Sequence, residues 1–212
     1  MGEVLRQPGE RAQYLYFPID GIISKLRLTV DGDSTEIIMV GNEGAVGRRA
    51  FMGNDNSSTL EVVVRVAGSA WRVDGALFKT EFRHSQTLHD LMLRYLEAQL
   101  AMITQTAVCN RFHSIDQQLC RWMLLIIDLL PPNHLKLLMT QELIASTLGV
   151  SREEVSRAAC KLQRVRVVRY KRGQITVLDR PGLERASCEC YAVIKKEYYD
   201  RLPGNPVDGY AV

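Results

Sequence analysis

The chain has 212 residues, of which 46% are hydrophobic and 24% charged, and its formal net charge is +3. This length suits one large domain or two small ones, and the composition excludes a disordered or fibrous protein. No apolar run approaches the roughly 18 residues that span a bilayer, and no signal peptide opens the chain, so no membrane partner is expected. The odd set of 5 cysteines favours reduced, cytoplasmic thiols over a disulfide framework.

Positive charge is concentrated near one end of the sequence. Residues 1–83 are nearly neutral, with ten Lys or Arg against eleven Asp or Glu. Residues 161–172 instead contain six cations and no carboxylate. A basic block confined to one region is typical of a domain that neutralises phosphates, so this end of the chain is predicted to bind nucleic acid.

Short apolar stretches separated by turn residues fill the first part of the chain. The predicted strands are 14–17, 22–28, 36–40, 60–66 and 70–73. Turn pairs such as Asp20-Gly21 and Gly41-Asn42 separate them, and this regular spacing indicates an antiparallel β-roll. The first strand comes so early that we expect N-terminal elements of the roll to be missing from this sequence. We assign residues 1–84 to a sensor or effector domain.

Residues 85–110 change to a helical period and are assigned to a dimerisation helix. Apolar residues recur three, four, three and four positions apart, at Leu93, Leu96, Leu100, Ile103 and Ala107. This spacing is that of a coiled-coil seam and predicts a homodimer. The alternative is that the stripe packs on the protein's own roll. A second helix, over about 115–130, is apolar nearly all round and should be buried.

Residues 111–212 are assigned to a winged helix-turn-helix domain with a C-terminal tail. Thr140 is predicted to cap a helix over 141–148, and Gly149 supplies a residue that adopts positive φ. Ser151 and Glu154 form a capping-box pattern that opens a second helix to about Arg164. Small and apolar residues on both helices allow them to cross closely at a steep angle, as in a helix-turn-helix.

The outer face of this second helix is predicted to read DNA. Its N-terminal half carries the residues predicted to contact base edges, namely Arg152, Glu153, Ser156 and Arg157. Strands over 167–170 and 174–178 would form a basic wing. The DNA backbone is expected to meet Thr140, Ser151, Lys161, Arg164, Lys171 and Arg172. The alternative is a solvated face on a module that binds protein instead of DNA.

The sequence TQELIASTLGVSREEVSR, from Thr140 to Arg157, resembles the DNA-reading motif of the Crp/Fnr superfamily of transcription regulators. Residues 7–10, 16–18 and Gly21 resemble the start of that family's β-roll. The resemblance implies an α+β fold of an antiparallel, cyclic-nucleotide-binding-like roll, a long dimerisation helix and a winged helix-turn-helix. It further implies a near-palindromic double-stranded DNA partner with TGA-like half-sites, in which Glu153 and Arg157 address a G·C pair. RNA polymerase is an expected partner if the protein is an activator.

The resemblance departs at the effector site. Cyclic-nucleotide-binding members hold the ribose and phosphate with a Gly-Glu pair and a later Arg-Ser pair. Here the corresponding positions are Gly47-Arg48 and, near the second, Ser57-Ser58. We therefore expect no cyclic AMP binding, although Arg48 and Arg49 are a possible pocket for another, unknown small effector. Residues 109–113, 121–122 and 188–191 likewise resemble a branch whose signal is not cyclic AMP. A cyclic-nucleotide-responsive regulator is the less favoured alternative.

No cofactor, metal or catalytic residue is predicted. Cys188-x-Cys190 has no second pair at metal spacing, and Cys109 with His113 is interpreted as a buried thiol beside a hydrogen-bonded histidine. The rival enzyme class is a cupin-like oxygenase, which needs imidazoles on the barrel strands. Residues 1–83 contain no histidine, so we expect the protein not to be an enzyme.

Overall fold

The turn residues of the N-terminal part place short strands in two antiparallel sheets. The computed structural model describes residues 2–52, 59–131 and 135–202. The strands of the described roll are β1 Val4–Arg6, β2 Tyr14–Pro18, β3 Ile22–Leu28, β4 Ser34–Val40, β5 Leu60–Val66 and β6 Ala70–Asp74. One sheet has the order β1-β5-β3-β4, and β2 pairs with β6 in the second. The predicted antiparallel roll is confirmed, and the five predicted strands differ from the observed ones by at most two residues at either end.

Short elements of the roll were not predicted from the sequence. β1 has 3 residues, too few for an alternating pattern to be recognised. Two helices, α1 Arg49–Met52 and α2 Gly75–His84, lie within the region read as strands and turns. Asp74 begins α2 because its carboxylate accepts hydrogen bonds from the Ala76 and Leu77 amides.

Two helices connect the roll to the C-terminal part. α3 spans Gln86–Phe112 and α4 spans Ile115–Asp128. Ser114 and Gln117 form a capping box that ends the connection and starts α4. α4 is buried on almost every side, as its composition predicts, and supplies Leu119, Trp122, Met123 and Ile126 to the largest core cluster.

The C-terminal part contains β7 Lys136–Leu138, α5 Gln141–Leu148, α6 Arg152–Arg164, β8 Val168–Lys171, β9 Gln174–Val177, α7 Arg180–Ala186 and α8 Cys190–Arg201. The three strands form one sheet in the order β7-β9-β8. α5, α6 and the β8–β9 hairpin agree with the sequence prediction to within about one residue. α8 packs along α3, where Ile194 and Tyr198 join the cluster that contains Met102. Within the described ranges, no helix has both the length and the apolar character needed to cross a membrane.

A buried carboxylate connects the roll with the helix-turn-helix part. Glu36 in β4 accepts hydrogen bonds from Arg65 in β5, from the Ser24 hydroxyl in β3 and from the Trp122 indole in α4, the last at 3.0 Å. The Arg65 Nη2–Glu36 Oε2 distance is 3.1 Å, and the two side chains are 5% and 4% exposed. Because the Arg65–Glu36 pair is desolvated, removal of either partner would leave an uncompensated charge in the interior.

We predict that Arg65→Met destabilises the protein by about 3–5 kcal/mol, because it leaves a charged carboxylate buried without its counter-ion. The exposed pair of Arg185 and Asp179, at 3.5 Å, offers a matched control, since the Arg185 side chain is 72% exposed. Arg185→Met should change the free energy of unfolding by no more than about 0.5 kcal/mol. Urea unfolding measures both, and equal effects of the two substitutions would contradict the assigned role of Arg65.

Candidate nucleic-acid interface and effector pocket

The start of α6 is fixed by hydrogen bonds that its own first residues make. The Ser151 hydroxyl accepts from the Glu154 amide at 3.3 Å, and the Glu154 carboxylate accepts from the Ser151 amide at 2.9 Å. The bond from the Ser151 backbone, with that from its side chain, lowers the pKa of Glu154. The predicted capping box is thus confirmed. Thr140 caps α5 in the same way, accepting from the Leu143 amide at 3.2 Å.

The turn between α5 and α6 sets the angle at which α6 is presented. Gly149 has φ 67°, in the left-handed region that disfavours a side chain. Beyond it, α6 buries Val155, Ala158, Ala159 and Leu162 against α4, α5 and the hairpin. The opposite face of α6 is therefore held outward on a rigid support.

The outward face of α6 carries the residues predicted to read bases. Arg152, Glu153, Ser156 and Arg157 are all exposed. Arg152 Nε lies 3.1 Å from Glu142 Oε1 across the turn, with both side chains more than 60% exposed. Among the described residues Arg157 has no ion pair. An exposed guanidinium of this kind is available for bidentate hydrogen bonds to guanine.

The cations predicted to meet phosphates lie beyond the N-terminal half of α6 and on the hairpin. Lys161 forms an ion pair with Asp116 at 2.7 Å, whereas Arg164, Lys171 and Arg172 are exposed.

The β8–β9 hairpin closes with a tight turn. Lys171 pairs with Gln174, and the two-residue turn between them has φ 51° at Arg172 and 73° at Gly173. This geometry is that of a type I′ turn, so the hairpin projects its two basic residues at the tip of a tight wing.

The roll contains a cationic pocket with a volume of about 250 Å³. Arg48 and Arg49 line it, together with three further cations that the sequence did not indicate. The basic lining residues are Arg6, Lys25, Arg27, Arg48 and Arg49. Arg6, Lys25 and Arg27 were not predicted because they lie on two other strands, β1 and β3, and no sequence motif links them to Arg48 and Arg49. Ser57-Ser58, the pair compared with the phosphate-binding motif, lies outside the described residues.

Lys25 is the buried member of this pocket, 7% exposed. Its Nζ lies 3.5 Å from Oε1 of Gln99 in α3. Burial, together with the positive charges of Arg48 and Arg6, lowers the pKa of Lys25 to about 7. Gly47 shapes the turn that brings Arg48 to the pocket: its φ is 112°, and a Cβ there would lie 2.3 Å from the Tyr14 carbonyl oxygen.

The apolar stripe of α3 is exposed. Leu93, Leu100 and Ile103 are 46%, 64% and 38% exposed, Ala107 is also exposed and Leu96 is half-buried. The other face of the helix, with Met92, Tyr95, Ala98 and Met102, packs on the roll and α8. The alternative in which the predicted stripe packs on the protein's own roll is therefore wrong.

The structure also brings together two pairs of residues that are far apart in the sequence. Cys109 and His113 at the end of α3 lie beside Cys188 and Cys190, just before and at the start of α8. The available signals were the four-residue spacing of the first pair and the Cys-x-Cys of the second. Neither signal indicates that α8 folds back onto α3, so the cluster could not be assembled from the sequence.

Comparison with known families matches both parts of the chain. Residues 1–85 match the model of the cyclic nucleotide-binding domain, and residues 117–186 match that of the Crp-like helix-turn-helix domain. No curated protein sequence matches the chain significantly.

Several solved structures share the fold. A CRP-family transcriptional regulator from Thermus thermophilus is 19% identical, with a TM-score of 0.71 over 88% of this chain and 93% of its own. FixK2 from Bradyrhizobium japonicum is 17% identical, with a TM-score of 0.71 and the same coverages of 88% and 93%. The c-di-GMP responsive global regulator CLP from Xanthomonas campestris is 18% identical, with a TM-score of 0.63 over 84% of this chain and 90% of its own.

Proposed function

The chain belongs to the Crp/Fnr superfamily of transcription regulators, and from this premise we propose that it is a sequence-specific DNA-binding homodimer controlled by an anionic effector. The observation that carries the proposal is the exposed face of α6, polar and basic, held outward by a buried opposite face and flanked by a basic wing. In this proposal α6 enters the major groove of each half of a near-palindromic site. The protein acts in the cytoplasm as a regulator and not as an enzyme.

Base reading is assigned to the N-terminal half of α6. Arg157 donates to guanine O6 and N7, and Glu153 accepts from the cytosine N4 amine of the same G·C pair. Arg152 reaches a base edge by exchanging its exposed pair with Glu142, which costs little because both charges are already solvated. Ser156 lies on the same face and contacts an adjacent base.

Backbone contacts are assigned to the cations farther from the α6 N-terminus and to the two helix starts. Lys171 and Arg172 at the wing tip and Arg164 meet phosphates as point charges, and Lys161 exchanges Asp116 for a phosphate oxygen. Thr140 and Ser151 begin α5 and α6, and in this proposal the N-termini of both helices face the DNA backbone. The positive end of each helix dipole favours a phosphate there.

Dimerisation is assigned to the exposed stripe of α3. Three large apolar side chains on one face of a 27-residue helix leave a long hydrophobic strip in water. A second copy of the same strip covers it in a two-fold arrangement, because a homodimer interface uses the same patch twice. Two α6 helices related by this axis match the symmetry of a near-palindrome.

The effector is assigned to the cationic pocket of the roll. Five basic side chains around one cavity repel one another, and a small anion with at least two negative charges relieves that repulsion. Arg48 stands where a carboxylate would accept from a ribose hydroxyl, which argues against a cyclic mononucleotide. The similar Xanthomonas regulator is c-di-GMP responsive, so an anionic effector has a precedent on this fold.

A module that uses the same face of α6 to bind protein is the alternative function. Duplex DNA titrations at several salt concentrations separate the two, because a phosphate-binding face must lose DNA affinity steeply as salt rises. If the DNA affinity is weak and does not depend on salt, the DNA-binding proposal is wrong. RNA polymerase is a partner only if the protein activates transcription.

We predict that Arg157→Ala and Lys171→Ala affect DNA binding differently. Loss of a bidentate contact to guanine by Arg157→Ala should cost about 1–3 kcal/mol on the operator and relax preference at one base pair. Lys171→Ala should weaken all sequences alike and reduce the salt slope by about one. Binding isotherms on selected operator and random duplexes measure both effects. Equal losses on operator and random DNA for both variants would show that Arg157 is not a base reader.

We predict that Leu100→Glu converts the dimer into monomers at low micromolar concentration, because it buries two like charges in the seam. Leu77→Glu is the matched control: Leu77 is 59% exposed against 64% for Leu100, but lies on α2 outside the stripe. Multi-angle light scattering should show a dimer for the wild type and for the control. A dimeric Leu100→Glu variant would place the interface elsewhere.

We predict that a divalent anion binds the roll pocket more tightly at low pH. Because burial and neighbouring cations hold the pKa of Lys25 at about 7, binding of an anion to the charged ammonium requires uptake of a proton above that pH. Affinity should therefore be highest below about pH 7 and fall by up to about tenfold per pH unit above it.

Calorimetry with inorganic sulfate, in buffers of different ionisation enthalpy, measures the affinity and the proton uptake together. Lys25→Met should remove the uptake, and Lys171→Met should leave it intact. Saturable cyclic AMP binding at micromolar concentration, or sulfate binding without proton uptake above pH 7, would contradict the assignment.

A further inference from the structure

Four side chains with metal-ligand chemistry converge where the end of α3 meets the start of α8. The Sγ atoms of Cys109, Cys188 and Cys190 and a ring nitrogen of His113 all lie within 4.8 Å of one another. All three thiols are buried, and the His113 side chain is 14% exposed. The cluster is outside the DNA-binding face and outside the cationic pocket, and the proposed function makes no use of it.

The spacing of these atoms fits a single tetrahedral ion. Zinc–sulfur and zinc–nitrogen bonds of about 2.3 and 2.1 Å imply ligand separations of about 3.6–3.8 Å across a tetrahedron. The Cys109–Cys188 sulfur distance is 3.5 Å, and Cys190 Sγ lies 3.4 Å from His113 Nδ1. A four-iron cluster would hold its ligands much farther apart because each binds a different iron atom. The site is therefore sized for one ion.

The neighbouring polar groups are arranged as they are around metal-bound ligands. Because His113 faces the thiols through Nδ1, its Nε2 is left to interact with Glu189, whose Oε1 lies 3.2 Å away. A carboxylate on the second ring nitrogen is the usual support of a metal-bound histidine, since it fixes the tautomer and the ring orientation. The Gln105 side-chain amide donates to Cys190 Sγ at 3.0 Å, a contact that stabilises a thiolate.

The charge balance around the cluster also favours an ion. Arg121 in α4 is 4% exposed, donates to the Thr106 hydroxyl at 3.0 Å and leaves its Nε without a partner. Within the described ranges, no carboxylate forms an ion pair with it. Three thiolates, a neutral histidine and one divalent ion carry a net charge of −1. That charge would compensate a guanidinium that otherwise lies buried without a counter-ion.

We propose that Cys109, His113, Cys188 and Cys190 bind one Zn²⁺ and thereby fasten the start of α8 to the end of α3. All four positions of the tetrahedron are filled by protein atoms, so the site is closed and its role is structural. The ion holds α8 along the face of α3 that lies away from the exposed stripe. The proposal does not depend on the protein's binding DNA.

The first test is the metal content of the full chain, purified without a polyhistidine tag and measured by inductively coupled plasma mass spectrometry. We expect one zinc per chain. Replacement by Co²⁺ should give the visible bands of a tetrahedral ion and a thiolate-to-cobalt charge-transfer band. A wild-type protein that binds neither metal would overturn the proposal, and so would a Cys109–Cys188 disulfide in the metal-free protein as isolated.

Substitutions within and outside the cluster test which side chains bind the metal. Cys109→Ser combined with Cys190→Ser should abolish stoichiometric metal binding. Cys120→Ser is the matched control, because Cys120 is equally buried but lies outside the cluster. It should keep the metal even if its stability falls. His113→Cys should also keep the metal and shift the cobalt spectrum toward that of a four-thiolate site, which a misfolded chain would not do. Retention of zinc by the double variant would show that the ion binds elsewhere.

The structural role has its own readout. Chelation of the metal from the wild-type protein should lower its Tm, and addition of zinc should restore it, because an ion that binds only the folded state stabilises it by mass action. The same treatment should leave the Tm of the double variant unchanged. If removal of the metal leaves the wild-type Tm unchanged, the proposal that the ion stabilises the contact between α3 and α8 is wrong.

Discussion

The buried carboxylate of Glu36 is the constraint that makes one folded unit out of the roll and the helix-turn-helix part. A charge this deep is stable only while its donors stay in place, and those donors come from β3, β5 and α4. Around it, Ile22 and Met39 of the roll pack in the same cluster as Trp122 and Leu119. The position of α4 relative to the sheet is thus fixed by a polar network inside an apolar contact. Since α5 and α6 share the core cluster of α4, the orientation of the exposed α6 face depends on the same carboxylate.

β4 contacts both the cationic pocket and α5. Ile37 and Ile38 in the middle of the strand line the cationic pocket, while Ser34 and Thr35 at its start contact α5. The latter contacts are hydrogen bonds between small polar groups, with 2.6 Å between the Ser34 and Ser146 hydroxyls. Such bonds exchange for water at little net cost, in contrast to the Glu36 pair. α3 provides a second connection, because Gln99 and Ile103 line the pocket and Ile103 also belongs to the exposed stripe.

Local chemistry explains which features the sequence could predict. The α5–α6 pair was predictable to the residue because each boundary is set by a neighbour within four positions, as with Ser151 and Glu154. The longer strands were predictable because alternation and turn residues are local as well, whereas the three-residue strands β1 and β7 were not. Beyond Arg48 and Arg49, the cationic pocket could not be predicted, and neither could the Cys–His cluster. Lys25 lines the same pocket as Arg6 and Arg48, and Cys109 lies beside Cys188, only through the tertiary fold. Burial is the main cause of the altered pKa of Lys25, and no residue near it in the sequence signals that burial.

The two basic surfaces of the molecule differ in the kind of positive charge that they carry. The face of α6 that we propose binds DNA is built mainly from exposed guanidinium groups, which stay charged at any pH the protein meets. The roll pocket depends on a buried ammonium whose pKa is about 7, so its charge changes within the physiological range. A cavity of about 250 Å³ also excludes the duplex that the outer face would accept. Under the proposed function, size keeps DNA out of this pocket, and the charge of Lys25 varies with pH whereas the charges of the α6 arginines do not.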